Sequence, residues 1–66
     1  MSNIQTILIP KHFTIQQAKN WLYDHGYKFN KIDDDVHFYR FRQRPPTNGH
    51  YYTITLSNGI HLVYSN

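Results

Sequence analysis

Three of the seven cationic residues of this 66-residue sequence, Arg40, Arg42 and Arg44, recur with period two in the run Tyr39-Arg40-Phe41-Arg42-Gln43-Arg44. A β-strand rises about 3.3 Å per residue and sends alternate side chains to opposite faces, so the three guanidinium groups would stand on one side roughly 6–7 Å apart. Guanidinium is planar, permanently charged and rich in N–H donors, and its natural partners are phosphate and carboxylate oxygens. Tyr39 and Phe41 would point the other way, into a core. A second alternating run, Tyr51 to Leu56, can add the hydroxyls of Thr53 and Thr55 to the same surface. Tyr51 and Phe38 are rings on which bases could stack. The pattern also suits plain solvation, because an antiparallel sheet with one wet face carries Arg and Thr for solubility and cross-strand pairing.

Other chemistry finds less support. Asp33-Asp34-Asp35 could approach a hard cation, but calcium loops need spaced oxygen ligands, a turn glycine and a closing glutamate, and the sequence contains no glutamate. The run reads as a solvated turn. The histidines at 12, 25, 37, 50 and 61 form no pair at metal-binding helical spacing and have no cysteine companions. His25 reads as a helix-end residue whose protonated form suits the negative pole of the dipole. There is no G-x-S-x-G elbow, no phosphate-binding glycine loop and no nucleophile-base pair that spacing alone can place. The expectation is a protein without catalytic residues, metal or cofactor.

Size and composition bound the rest. The chain, 1–66, is expected to form one small domain, which at this length hides only about 60% of its unfolded surface and leaves little room for a deep cleft. A formal charge of +3 and a pI near 9.4 favour anionic partners. The aromatic fraction of 17%, with six tyrosines, gives a small core area while leaving hydroxyls in water. Absence of cysteine removes a disulfide framework. No run of about 18 apolar residues and no cleavable leader is seen, so a soluble, intracellular protein without a membrane span is expected.

The elements that must position the arginines follow from pattern. Ile4 to Ile9, closed by Pro10, predicts a strand. Thr14-Ile15-Gln16-Gln17 is a capping box with Phe13 placed to staple onto Ala18, and Ile15, Ala18, Leu22 and His25 fall on one stripe beside Trp21. Gly26 can supply a left-handed C-terminal residue, so a helix is predicted over 15–25. Lys28 to Asp35 reads as turn or loop. Val36 to Gln43 is the arginine strand, and 44–50, with Pro45 and Pro46, is an exposed loop that Arg44 enters. Tyr51 to Leu56 and Ile60 to Tyr64 form a hairpin. A three-residue loop with Gly59 left-handed pairs Leu56 with Ile60 and gathers Tyr52, Ile54, Leu56, Ile60, Leu62 and Tyr64 on one face. The predicted fold is α+β: a single helix packed on a small, mainly antiparallel sheet, in the order β-α-β-β-β. Phe38, Arg40, Arg42, Tyr51, Thr53, Thr55, His61 and Val63 are left on the wet face.

The run Phe13-Thr14-x-x-x-Ala18-Lys19-x-Trp21-Leu22-x-x-His25-Gly26-Tyr27-Lys28, then Tyr39-Arg40-Phe41-Arg42-Gln43-Arg44-Pro45 and Gly59-Ile60, resembles a small accessory module of tailed-bacteriophage and prophage proteins. The resemblance spans about residues 7–64. It implies a viral origin, a place in the host cytoplasm, and association with virion-assembly proteins in some settings. It brings no catalytic residues with it. Trp21, His25 and Gly26 map as structural and Arg40 and Arg42 as candidate contacts, while the histidine-bearing loop from Pro45 to His50 is longer than the pattern.

Two functions are compatible with these residues. One is binding of an anionic ligand, nucleic acid or a phosphorylated nucleotide, through Arg40, Arg42, Arg44, Tyr51, Thr53, Thr55 and Phe38. The other is a protein-interaction module, such as a phage inhibitor of a host protein or an assembly adaptor, using the same face against an acidic partner. A concave nucleotide site on so small a chain would form most easily between two copies, so a homo-oligomer fits the first reading.

Overall fold

Ile4, Thr6, Ile7 and Ile9 are β-branched and pack well on a pleated surface, and the strand they build, β1 (Asn3–Pro10), lies at the centre of the sheet. The structure, a computed structural model, describes residues 3–45 and 49–65. After β1 come α1 (Ile15–Asp24), β2 (Ile32–Asp34), β3 (Phe38–Arg42), β4 (Tyr51–Thr55) and β5 (His61–Ser65). The strands form one antiparallel sheet in the order β2-β3-β1-β5-β4. This is the predicted α+β arrangement of one helix on an antiparallel sheet, with β2 as an additional short strand.

Local chemistry explains both helix ends. At the start, the Gln17 amide donates to Thr14 Oγ1 at 3.0 Å and the Thr14 amide donates to Gln17 Oε1 at 2.8 Å, completing the capping box. At the end, Tyr27 N–H donates to the Leu22 carbonyl at 2.8 Å and Gly26 N–H to that of Tyr23 at 3.1 Å. Those two bonds define a Schellman motif, with Gly26 at φ +78 where a side chain would be strained. His25 is the C-cap; its Nδ1 lies 2.7 Å from the Trp21 carbonyl and its ring stacks on Trp21 at 3.9 Å.

The core draws on the three inner strands and on Ile60, the residue before β5. Ile7, Ile9, Phe41, Ile60 and Leu62 cluster with Ala18 and Leu22 of the helix, and Phe13, Trp21, Tyr27, Tyr39, Leu56 and Tyr64 pack around them. The hairpin register is the predicted one: Leu56 N–H donates to the Ile60 carbonyl at 2.8 Å, and Gly59 has φ +92. Tyr52 and Ile54 share the core side but remain 42% and 44% exposed, because β4 is an edge strand outside the cluster. Ile15, expected in the core, is 37% exposed at the first position of the helix.

The segment read as loop, Lys28 to Asp35, contains a strand. β2 pairs with β3 through Ile32↔Phe41, Asp33↔Arg40 and Asp34↔Tyr39. A polar three-residue strand carries no periodicity of its own and is specified by its neighbour. The arginine strand is correspondingly shorter than predicted, because Asp35, His37 and Phe38 make a turn in which the Asp35 carboxylate accepts the amides of His37 at 2.8 Å and Phe38 at 3.2 Å. The middle of the predicted 44–50 loop, residues 46–48, lies outside the described residues.

Candidate functional site

Strand parity brings most of the predicted residues to one face and strand order spreads them across it. Opposite residues run Asp33, Arg40, Leu8, His61, Thr55 in one row and Arg42, Thr6, Val63, Thr53 in the next. Arg40 and Arg42 are therefore on the face that also holds Thr53 and Thr55. They are not beside those threonines, since β1 and β5 intervene and the separation is three strand spacings, about 14 Å. Tyr51 spans part of that gap: with Gln5, Thr6, Asp33, Arg40, Arg42 and Val63 it lines an open depression of about 260 Å³.

Several predicted contacts already have partners within the fold. Phe38 meets the His61 ring edge-on at 5.2 Å, and Thr55 Oγ1 hydrogen-bonds His61 Nδ1 at 2.8 Å, so His61 links the two. Arg40 lies 3.7 Å from Asp35 and Arg42 3.9 Å from Asp33, both exposed. Those distances are ion pairs without hydrogen bonds, and exposed pairs of this kind hold little energy. The guanidinium groups can turn toward another anion at small cost. Their charge on the flat of the sheet is nonetheless offset, two aspartates against two arginines.

Uncompensated positive charge gathers at one corner. Arg44 leaves the sheet after β3 and, with Lys28, Lys31, Arg42, Asn30, Gln43 and Pro45, lines a cleft of about 190 Å³. Among the described residues, none of Lys28, Lys31 and Arg44 has a carboxylate within ion-pairing distance. The corner is built by backbone bonds: Arg42 N–H to the Lys31 carbonyl at 3.1 Å, and Gln43 N–H to the Gln5 carbonyl at 2.9 Å. Gln43 binds both backbone groups of Lys28, and Gln5 Nε2 donates to the Arg44 carbonyl.

Gln5 lies at a β-bulge between Ile4 and Thr6. It is only 5% exposed, and among the described residues its Oε1 has no partner. Sequence reasoning missed Gln5, Lys28 and Lys31. Lys31 could have been found from β2, which sets it opposite Arg42; no signal in the sequence marked the bulge.

At the opposite end of these strands Lys11 pairs with Asp34 and sits 4.6 Å from the Tyr39 ring centre, and the Asp34 bond foremost holds the Lys11 pKa above its usual value. Among the described residues no three histidine or aspartate side chains converge as a metal site would require, and no helix is long and apolar enough to cross a membrane. Comparison with protein-family models, with curated proteins and with solved structures finds no match.

Proposed function

We propose that this chain is a small, non-enzymatic accessory protein of phage type that binds a phosphate-bearing ligand, nucleic acid or a phosphorylated nucleotide, in the host cytoplasm. The observation that carries this reading is the position of Arg42, which borders both the basic cleft and the depression on the sheet. A ligand there would meet the cations of the corner and lie along a surface where Arg40 and Tyr51 are within reach. Fluorescence anisotropy with a labelled single-stranded oligonucleotide tests it. Each neutralised phosphate contributes about 0.7 to the slope of log affinity against log salt, so Arg42→Ala should flatten the slope by about that amount. Lys19→Ala, on the helix, should leave it unchanged. Absence of binding to oligonucleotide and nucleotide alike would end this reading.

A second reading rests on the mixed charges of the β2–β3 hairpin and on the exposed Tyr51 that edge strand β4 places on the same face. Arginine and tyrosine on such a surface suit a protein partner, a host protein or an assembly component, or a second copy of the chain. Retention of a host protein after nuclease treatment, lost in the Arg40→Ala/Arg42→Ala double variant, would favour it over the first.

A further inference from the structure

We infer that the corner cleft formed by Lys28, Lys31, Arg42 and Arg44 is an anchor for a terminal phosphate, a phosphomonoester rather than an internal phosphodiester. The inference rests on the phosphate-binding reading above and names the chemical group that the site selects.

Charge decides between the two esters. Four cationic side chains line the cleft, and among the described residues a single carboxylate, that of Asp33, approaches one of them, Arg42, at 3.9 Å. Lys31 stands directly opposite Arg42 across the β2–β3 ladder, one residue beyond the Ile32↔Phe41 pair. Like charges placed opposite one another are destabilising unless an anion lies between them. A phosphodiester offers one negative charge. A phosphomonoester carries about −1.5 to −2 at neutral pH and three acceptor oxygens, which matches a surplus of donors better.

Size and support agree with that choice. At about 190 Å³ the cleft falls below the range of about 300–1,000 Å³ that holds whole drug-sized ligands, so it suits a phosphoryl group rather than a complete nucleotide. The remainder of the ligand has a path, since Arg42 is shared with the larger depression on the sheet, where Gln5 and Tyr51 also stand. Two side chains hold the walls in place: Gln43 fixes the backbone of Lys28, and Gln5 fixes that of Arg44. Such support keeps the cations together before a ligand arrives, which lowers the ordering cost on binding.

The test compares four probes by calorimetry and by amide chemical shifts: inorganic phosphate, a nucleoside 5′-monophosphate, and one oligonucleotide with either a 5′-phosphate or a 5′-hydroxyl. The expected result is at least about tenfold tighter binding of the 5′-phosphorylated oligonucleotide than of its 5′-hydroxyl form, a gap that Lys31→Ala abolishes and Lys19→Ala preserves. Amide shifts with inorganic phosphate should centre on Lys28, Lys31, Arg42 and Arg44. A mononucleotide that binds as well as the phosphorylated oligonucleotide assigns the ligand to the small-molecule source, and one that binds far more weakly assigns it to a nucleic-acid end; both uphold the anchor. Equal, Arg42-dependent affinity for the two oligonucleotides overturns the anchor and leaves the phosphate-binding reading standing. Failure of all four probes to bind overturns both.

Discussion

The side-chain amide of Gln43 bonds both backbone groups of Lys28: Oε1 accepts the Lys28 N–H and Nε2 donates to the Lys28 carbonyl, each at 2.8 Å. One side chain does here what a strand neighbour does elsewhere, tying an irregular segment to the end of β3 and keeping Lys28 at the rim of the cleft. Two such bonds contribute about 0.5–1.5 kcal/mol each, so Gln43→Ala should lower unfolding stability by about 1–3 kcal/mol in urea titrations. Gln43→Glu keeps the acceptor, loses the donor and adds a negative charge among the cations. It should weaken phosphate binding out of proportion to its effect on stability. An alanine variant with the urea midpoint of the parent chain would show that the clamp holds nothing of consequence.

The turn before the arginine strand makes a pH prediction. The Asp35 carboxylate is held below its ordinary pKa of 3.8, first by the His37 amide and then by that of Phe38, with Arg40 adding a smaller attraction. A carboxylate whose folded-state pKa is depressed contributes stability that is complete above its unfolded value and is lost as pH falls through the folded one. Asp35→Ala should therefore melt below the parent chain at neutral pH, and the two melting curves should converge below about pH 4. Melting temperatures followed from neutral to strongly acidic buffer decide the matter. A difference of constant size throughout would mean that Asp35 acts by something other than its charge.

Local signals in the sequence translated directly into structure, whereas features that depend on pairing did not. Thr14 and Gln17 are three residues apart and cap the helix by themselves, and Gly59 fixes the hairpin register within five residues, so both were legible. The period-two rule placed Arg40 and Arg42 on the face of Thr53 and Thr55. It says nothing of strand order, and β1 and β5 came between them. The basic corner was hidden for the same reason. Lys28 meets Gln43 fifteen residues away, and Gln5 meets Arg44 across thirty-nine, so no window along the chain contains the site.

Phe41 couples that site to the core. Its ring is fully buried in the cluster of Ile7, Ile9, Ala18, Leu22, Ile60 and Leu62, and parity then sends its neighbours Arg40 and Arg42 to solvent. Phe41→Ala removes a large buried side chain at a cost of about 3–5 kcal/mol, comparable with the whole stability of a domain this small. The variant should lose its cooperative thermal transition. Phe41→Leu, which keeps most of the volume, should retain the transition at a lower temperature and leave phosphate affinity unchanged. Loss of affinity in a folded Phe41→Leu chain would mean that the ring sets the arginines' positions as well as anchoring the strand.

Gly26 and Gly59 separate two reasons for glycine. Both have positive φ, +78 and +92, where an L side chain costs about 1–2 kcal/mol. Among the described residues a methyl group at Gly26 would meet nothing within 4 Å, whereas at Gly59 it would lie 3.2 Å from Pro10 Cγ and 3.7 Å from His12 Cε1. The alanine variants should accordingly differ, with Gly26→Ala showing the backbone cost alone and Gly59→Ala showing that cost plus the crowding of a proline ring with little freedom to retreat. Pro10 ends the central strand and Gly59 precedes the core residue Ile60, so the extra strain would fall where the hairpin meets the core. Paired urea titrations should place Gly59→Ala below Gly26→Ala in stability. Equal losses would mean that Pro10 yields, and that the hairpin loop needs glycine only for its backbone.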